Sequence, residues 1–275
     1  MAALFKLALL VLVAVALFGG LAVGGVYVLG DQRLNRRVAV PDESVAVPMD
    51  LASAHRGQHL ASAVALCVDC HGPNLAGRVV FDQRGLGRIV APNLTRGRGG
   101  IGASDSDADM LRAIRHGVDR TGRQLLIMPS DNYTRLSDAD VGAIIDYIRS
   151  VPSIDTSLPS TEILALGKIR FATGQLALLP SANIDHFAPR LAPPAPALTA
   201  DYGSYLAEIA GCATCHGPGL SGLGGWSEAD FLRLMRTGTR PDGRVLSTSM
   251  PWPYFAQMSE DELRAIWRYL DKLSR

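Results

Sequence analysis

The four cysteines of this 275-residue chain occur as two short pairs, Cys67-Val68-Asp69-Cys70 and Cys212-Ala213-Thr214-Cys215, each followed at once by a His, His71 and His216. A disulfide framework in a chain of this length would not be spaced in this way. The pairs head two copies of a longer unit. Asp109–Gly117 corresponds to Asp230–Gly238, Gly122-Arg123 to Gly243-Arg244, and Met128-Pro129 to Met250-Pro251. Ser137–Asp140 corresponds to Ser259–Glu262, and Tyr147 to Tyr269. The first copy carries additional residues between its Cys pair and its Met, around Asn93-Leu94-Thr95. The repeat calls for two like domains, in line with about two domains on a prior of roughly 150 residues each.

The periodicity within each unit is helical. Apolar residues recur at helical spacing over Asp107–Gly117, with Asp105, Asp107 and Asp109 near the start and Gly117 as a stop. Ser137–Ser150 begins with an N-cap and an acid three residues on, and Ser259–Leu273 repeats it. Helices over Ala54–Ala65 and Tyr202–Ala210 lead into the Cys pairs. No convincing run of period-two strands is present. A further helix is expected over Thr161–Leu179, packed on the units or lying at a membrane surface. The segments are then 1–37, an apolar N-terminus and flank; 38–49, a Val/Pro-rich linker; 50–152, the first unit; 153–199, a Pro-rich spacer; and 200–275, the second unit.

C-x-x-C-H is the pattern for covalent attachment of haem c. Two thiols at a helix start can each add to a vinyl group of the macrocycle. The His that follows is then held where its imidazole binds the iron. The alternatives for a single motif are a redox Cys pair, a structural disulfide or half a zinc site. Zinc requires two further His or Cys ligands per unit, and the second unit has no His besides His216.

The repeat sorts the candidates for the sixth iron ligand. Met110, Met235 and Met258 exchange with Phe231, Ile114 and Leu136 between the copies, so they read as core. Met49 lies in the linker. Only Met128 and Met250 correspond to each other, and both precede Pro in a loop between helices. His/Met ligation raises the haem potential and closes the iron to substrates, which suits electron transfer. His55, His59, His116 and His186 read as surface or packing residues. Tyr133 and Trp252 follow the Met loops and are candidates for pocket walls. Arg112, Arg123, Arg233 and Arg244 repeat between the units; they suit either haem propionates or a solvated helix face.

Leu7–Gly30 carries no charge. At about 1.5 Å per residue it is long enough for a bilayer core of about 30 Å. A retained anchor is the main reading and a cleaved signal peptide the alternative. Arg33, Arg36 and Arg37 after the segment, against Lys6 before it, would place the rest of the chain in the cytoplasm. Thioether attachment occurs outside the cytoplasm, and long domains translocate largely regardless of flanking charge, so the chemistry decides. Net charge is +1, from 27 basic against 26 acidic residues, so no basic field points to nucleic acid.

With these residues the sequence resembles class I c-type cytochromes in tandem, and in particular membrane-anchored di-haem cytochromes c of bacteria. The resemblance rests on Cys67–Gly72 with Leu75-Ala76-Gly77, on Ala91–Thr95, on Met128-Pro129-Ser130, on Leu136–Asp140 through Arg149–Pro152, and on Cys212–Gly217 with Met250-Pro251. It implies an all-α fold: two tandem cytochrome c-like helical domains behind an N-terminal transmembrane helix. It implies two covalently bound haem c groups, attached through Cys67, Cys70, Cys212 and Cys215. His71 and Met128 would ligate one iron, and His216 and Met250 the other. The implied role is single-electron transfer at the periplasmic face of the inner membrane. The chain would act alone or as a subunit of a respiratory or photosynthetic complex. Its partners would be a dehydrogenase, a quinol-oxidising complex, a terminal oxidase or a reaction centre. Dehydrogenase cytochrome subunits of this class carry three haem units and a C-terminal anchor, whereas this sequence shows two units and an N-terminal apolar segment. A di-haem peroxidase is the enzymatic alternative; two equivalent Met candidates argue against the open iron it needs. A haem sensor or structural subunit has no output domain to support it.

Overall fold

The computed structural model describes residues 1–190, 192–220, 226–247 and 249–273. Residue 191 of the spacer and residues 221–225, 248, 274 and 275 of the second segment lie outside the described residues. The chain opens with α1 (Ala2–Leu34), a helix long and apolar enough to cross a membrane. Its Leu10, Leu17 and Phe18 are exposed on the protein, as side chains facing lipid would be.

The first unit begins with α2 (Leu51–His59), capped by Asp50, whose side chain accepts from the Ser53 N–H at 2.8 Å. It continues into a single π turn, Leu60–Val64, closed by Ala65 N–H donating to the Leu60 carbonyl at 2.7 Å. A π turn accommodates one extra residue. In the sequence His59 stands eight residues before Cys67 and its counterpart Tyr205 seven before Cys212, a one-residue gap that the π turn explains. Then follow α3 (Cys67–His71), β1 (Arg78–Gln83), β2 (Gly87–Ala91), α4 (Asp107–His116), α5 (Ser130–Tyr133) and α6 (Asp138–Ser150). The spacer holds β3 (Glu162–Ile163) and α7 (Ala165–Ala172). The second unit is α8 (Ala200–Ile209), α9 (Cys212–His216), α10 (Glu228–Thr237), α11 (Trp252–Phe255) and α12 (Glu260–Leu273).

The mostly helical architecture agrees with the sequence, and the repeat extends to local devices. Ser106 with Asp109, and Ser227 with Asp230, form reciprocal capping boxes at the starts of α4 and α10. Both helices end in a left-handed Gly, Gly117 (φ 61) and Gly238 (φ 67). In each unit the first and last helices cross through a glycine. A Cβ on Gly57 would lie 1.8 Å from the Ala143 carbonyl oxygen, and one on Gly203 would lie 1.9 Å from that of Ala265. The apolar cores of the two units are continuous, with Leu60, Val64 and Ile145 in one and Leu206, Leu263 and Ile266 in the other.

Two features depart from the sequence reading. The additional residues of the first unit form an antiparallel hairpin, β1 with β2, which β3 extends to three strands. Val79, Val80, Ile89 and Val90 supply the β-branched side chains, and Gly85 and Gly87 with positive φ make the turn. The expected helix over Thr161–Leu179 is correspondingly shorter. Glu162–Ile163 is recruited as a strand, and the helix is confined to Ala165–Ala172. This helix packs on both α1 and the first unit. The backbone of Lys168 comes so near Gly30 that a Cβ there would lie 2.3 Å from its oxygen, and Gly167 meets the Leu86 carbonyl as closely. Lys168 Nζ pairs with Asp31 at 2.7 Å.

Segment 38–49 runs extended along the first unit, with the Ala46 carbonyl against Gly142 of α6. Its Glu43 meets Arg190 at 2.7 Å, Arg115 at 3.3 Å and His116 at 3.5 Å. His116 is almost fully buried and its Nδ1 lies 3.0 Å from Nδ1 of His186. Burial lowers the His116 pKa to about 4, helped by the neighbouring His186 and Arg190 and opposed by Glu43. The unfolded chain therefore takes up a proton first. The stability that neutral His116 contributes is present above pH 6.5 and is lost as pH falls from 6.5 towards about 4. In chemical denaturation repeated across this window, His116→Leu has a shallower loss of stability than the parent; equal slopes would contradict the assignment.

Candidate haem-binding sites

Each Cys motif is a short helix set between two residues of positive φ. Leu66 (φ 54) and Gly72 (φ 81) flank α3, and Gly211 (φ 69) and Gly217 (φ 74) flank α9. The backbone bonds match as well. Asp69 N–H donates to the Leu66 carbonyl at 2.9 Å, and Thr214 N–H to that of Gly211 at 3.0 Å. A leucine at the first of these positions takes a conformation that glycine takes freely at the other.

In the first unit, Cys67 and Cys70 are unbonded and partly buried. Burial pushes the Cys67 thiol up to about 12, and burial with the adjacent Asp69 charge raises that of Cys70. Both are neutral thiols at neutral pH. His71 donates from Nδ1 to the Pro92 carbonyl at 2.8 Å, which leaves the Nε2 lone pair free. Burial depresses its pKa, so the imidazole is neutral. A hydrogen bond of this kind fixes tautomer and ring orientation and raises ligand basicity.

The loop that presents the Pro92 carbonyl is itself locked. Asn93 and Thr95 are fully buried. Asn93 Nδ2 donates to the Ile154 carbonyl at 2.7 Å, its Oδ1 accepts from Thr95 N–H at 2.8 Å, and Leu94 N–H donates to the Leu75 carbonyl at 2.8 Å. In the sequence this segment shows only a Pro followed by Asn and Thr, and their burial is set by Ile154, about 60 residues away.

Cys67, Cys70 and His71 line a cavity of about 760 Å³ whose apolar wall includes Leu94, Met110, Ile114, Met128, Tyr133 and Ile148. Met128 thus shares this space with His71. It precedes Pro129, the N-cap of α5, and Tyr133 of that helix donates to the Ala65 carbonyl and ties the Met loop to the π turn. Met110, read as core, is buried in the same wall. Arg123 also lines the cavity, whereas Arg112, Arg233 and Arg244 pair with Asp109, Asp230 and Asp242 on helix and turn surfaces.

The second unit repeats the frame. Burial raises the Cys212 thiol to about 11, and Cys215 is exposed. Met250 packs against the core and makes the turn of Met128: Trp252 N–H donates to the Met250 carbonyl, and Ser130 N–H to that of Met128, both at 2.8 Å. Trp252 walls the turn by packing on Gly238. Two neutral thiols, a neutral imidazole with one free nitrogen, a thioether and an apolar cavity are the donor set and surroundings that fit haem c in the first unit. The second unit presents the same donor residues.

Residues 52–148 match the family model described as cytochrome c oxidase, cbb3-type, subunit III. The chain is 29% identical over 245 residues to the fructose dehydrogenase cytochrome subunit of Gluconobacter japonicus, covering 75% of this chain and 49% of the relative. It is 27% identical over 278 residues to the gluconate 2-dehydrogenase cytochrome c subunit of Pantoea cypripedii, covering 81% and 60%. A shorter match, 28% over 94 residues, is to the cytochrome c subunit of the quinone-dependent alcohol dehydrogenase of Gluconobacter oxydans, covering 24% and 20%. The chain therefore spans between half and three-fifths of the length of the first two relatives. The matched segment, the mostly helical fold and these relatives agree on one class: residues 52–148 form a cytochrome c domain, and the relatives that align beyond it are named as cytochrome subunits of dehydrogenases.

Proposed function

We propose that the chain is the membrane-tethered, di-haem cytochrome subunit of a periplasmic dehydrogenase, passing single electrons from that enzyme towards the respiratory chain. The observation that carries this reading is the duplicated frame, in which each Cys-x-x-Cys-His helix belongs to a unit with its own Met-Pro loop. The relatives are named for dehydrogenases of different substrates, so the shared element is electron transfer rather than recognition of one substrate. Bound haem supplies an iron that alternates between Fe(II) and Fe(III). The chain does the rest. Cys67 and Cys70, and Cys212 and Cys215, would anchor the groups covalently. Pro92 holds the His71 imidazole, which would ligate one iron, and His216, its counterpart by sequence, the other. Met128 and Met250 would complete the ligand sets, and the apolar wall of the first unit would keep water out. Docking of α7 on the last turns of α1 supports a retained anchor, because the helix is part of the packed structure. A periplasmic location follows from the covalent attachment.

The test is haem content and ligation of full-length protein matured in a competent periplasm. Two haem c per chain are expected. Met128→Ala and Met250→Ala each convert one of them from a low-spin, high-potential form to a low-potential form in redox titration. A single haem per chain, or Met variants with unchanged spectra and potentials, would overturn the assignment. Purification from membranes with a dehydrogenase subunit attached tests the partner.

A further inference from the structure

Arg33, Arg36 and Arg37 follow closely on the uncharged run of α1. Covalent haem attachment outside the cytoplasm puts them on the face of the membrane where flanking positive charge is disfavoured. None of the three lines the cavity of the first unit. All are exposed, and none of their guanidinium groups has a carboxylate within ion-pair distance among the described residues. Arginines on the units are placed differently. Arg56, Arg98, Arg149 and Arg244 meet Asp140, Asp155, Asp107 and Asp242 at 2.6 to 3.1 Å.

The row is not a loose tail. Arg37 pairs by its backbone with Arg123 in an antiparallel bridge, and Val38 N–H donates to the Gly122 carbonyl at 2.9 Å. Two carboxylates of this region are already engaged. Asp31 holds Lys168 Nζ at 2.7 Å, and Asp119 accepts from the N–H groups of Thr121 and Arg123 at 2.7 and 3.0 Å.

Helix α7 fixes the level at which these charges lie. Gly30 is the last residue of the uncharged run, and a Cβ there would lie 2.3 Å from the Lys168 oxygen and 3.4 Å from the Ala172 Cβ. Lys168 Nζ lies 5.0 Å above the ring of Tyr27 and 3.4 Å from its Oη. A Tyr near the end of a spanning helix marks the membrane–water interface. With α1 in a bilayer, α7 therefore lies where the apolar core gives way to headgroups. It carries one more exposed cation without a carboxylate partner among the described residues, Arg170. At its start Leu164 and Leu166 remain 39% and 45% exposed. Cations beside exposed apolar side chains suit a helix that rests in the interface.

We propose that Arg33, Arg36, Arg37 and Arg170 form a binding surface for the headgroups of anionic phospholipids in the leaflet that faces the haem units. The inference rests on the retained, periplasm-facing anchor proposed above. The lipid charge offsets the adverse position of the arginines after α1 and holds α7 against the membrane. Replacing these arginines removes charge that opposes translocation, so the variants still deliver the units to the same side.

The experiment uses the full-length holoprotein, delipidated in non-ionic detergent. It is titrated with phosphatidylglycerol or phosphatidylcholine while native mass spectrometry counts the lipids bound per chain. Both lipids carry a phosphodiester, but only the first has a net charge. The parent prefers phosphatidylglycerol by roughly a hundredfold or more, at about fivefold per arginine near the lipid surface. In the triple variant Arg33→Gln, Arg36→Gln, Arg37→Gln the preference falls to within about tenfold, with haem content and melting temperature unchanged. Lys at the same three positions keeps the parent preference. Should the triple variant lose haem, Arg37→Gln and Arg170→Gln replace it, each lowering the preference about fivefold. Inorganic phosphate equimolar with the lipid leaves phosphatidylglycerol bound. Equal affinity of the parent for both lipids, an undiminished preference in the Gln variants, or displacement by phosphate overturns the proposal. An intact mass that lacks α1 would overturn the anchor reading first, and the lipid surface with it.

Discussion

Replacing Cys67 and Cys70 together by Ala leaves one covalent haem per chain and unfolds the first unit, read as lost helical circular dichroism and new protease cuts within 50–152. The reason is volumetric. The cavity these thiols line is about 760 Å³. At roughly 24 cal/mol per Å³ an unfilled apolar space of that size costs up to about 18 kcal/mol. The whole stability of a domain is about 5–15 kcal/mol. The true penalty is smaller, because the walls collapse and part of the space opens to solvent. Even half of it, about 9 kcal/mol, is comparable with the whole stability of the unit. The second unit keeps its own thiols, so Cys212→Ala with Cys215→Ala removes the other haem. A Cys67/Cys70 variant that retains a folded first unit would show that the cavity is not built around a cofactor.

The Gly57→Ala substitution destabilises the protein by about 3 kcal/mol, at the upper end of what overpacking produces. Thermal unfolding falls by roughly 2–4 °C for each kcal/mol in a chain of this size. In a free helix the same change would stabilise by up to about 1 kcal/mol, because Ala is the better helix former. The sign therefore reports the crossing. The new methyl would lie 1.8 Å from the Ala143 oxygen and 2.5 Å from its carbon, and backbone cannot move aside as a side-chain tip can. Gly203→Ala behaves alike against Ala265, whereas Gly219→Ala, with no atom of the described residues within 4 Å of the added carbon, leaves the melting temperature unchanged. Scanning calorimetry of the three variants checks the order. A Gly57→Ala protein as stable as its parent would mean that α2 and α6 do not cross where they are drawn.

Much of this was legible from spacing alone. The Cys motifs, the corresponding Met-Pro loops, the helix starts near Asp107 and at Ser137 and the apolar N-terminal run are all local patterns, and local patterns survive in a sequence. Segments 78–91 and 162–163 were not read as strands because each is short and lies within a helical repeat. Their partners are set by the fold, since Glu162 pairs with Arg88 across the chain. His59 and His116 were read as surface or packing residues. Both are packed, but their partners, Glu262 for one and Glu43 with His186 for the other, lie far away in sequence. No periodicity announces such pairs. The one-residue gap at His59 was visible, but its cause, a π turn, needed the backbone.

The packing of α7 on the end of α1 determines how such a cytochrome can meet its partners. Were the first unit joined to the helix by a loose leash, it would sweep a hemisphere and collect electrons wherever it collided. Instead Gly30 and Asp31 grip Lys168, and the chain beyond lies fixed along the unit, with Val38 N–H bonded to the Gly122 carbonyl at 2.9 Å. The helix acts as a mast. With α1 in a bilayer, the first unit is held at one height and one tilt, and its remaining freedom is rotation about the mast and drift in the plane. Encounters then become a two-dimensional search with a preset orientation, and a partner anchored in the same membrane would need to match only that height.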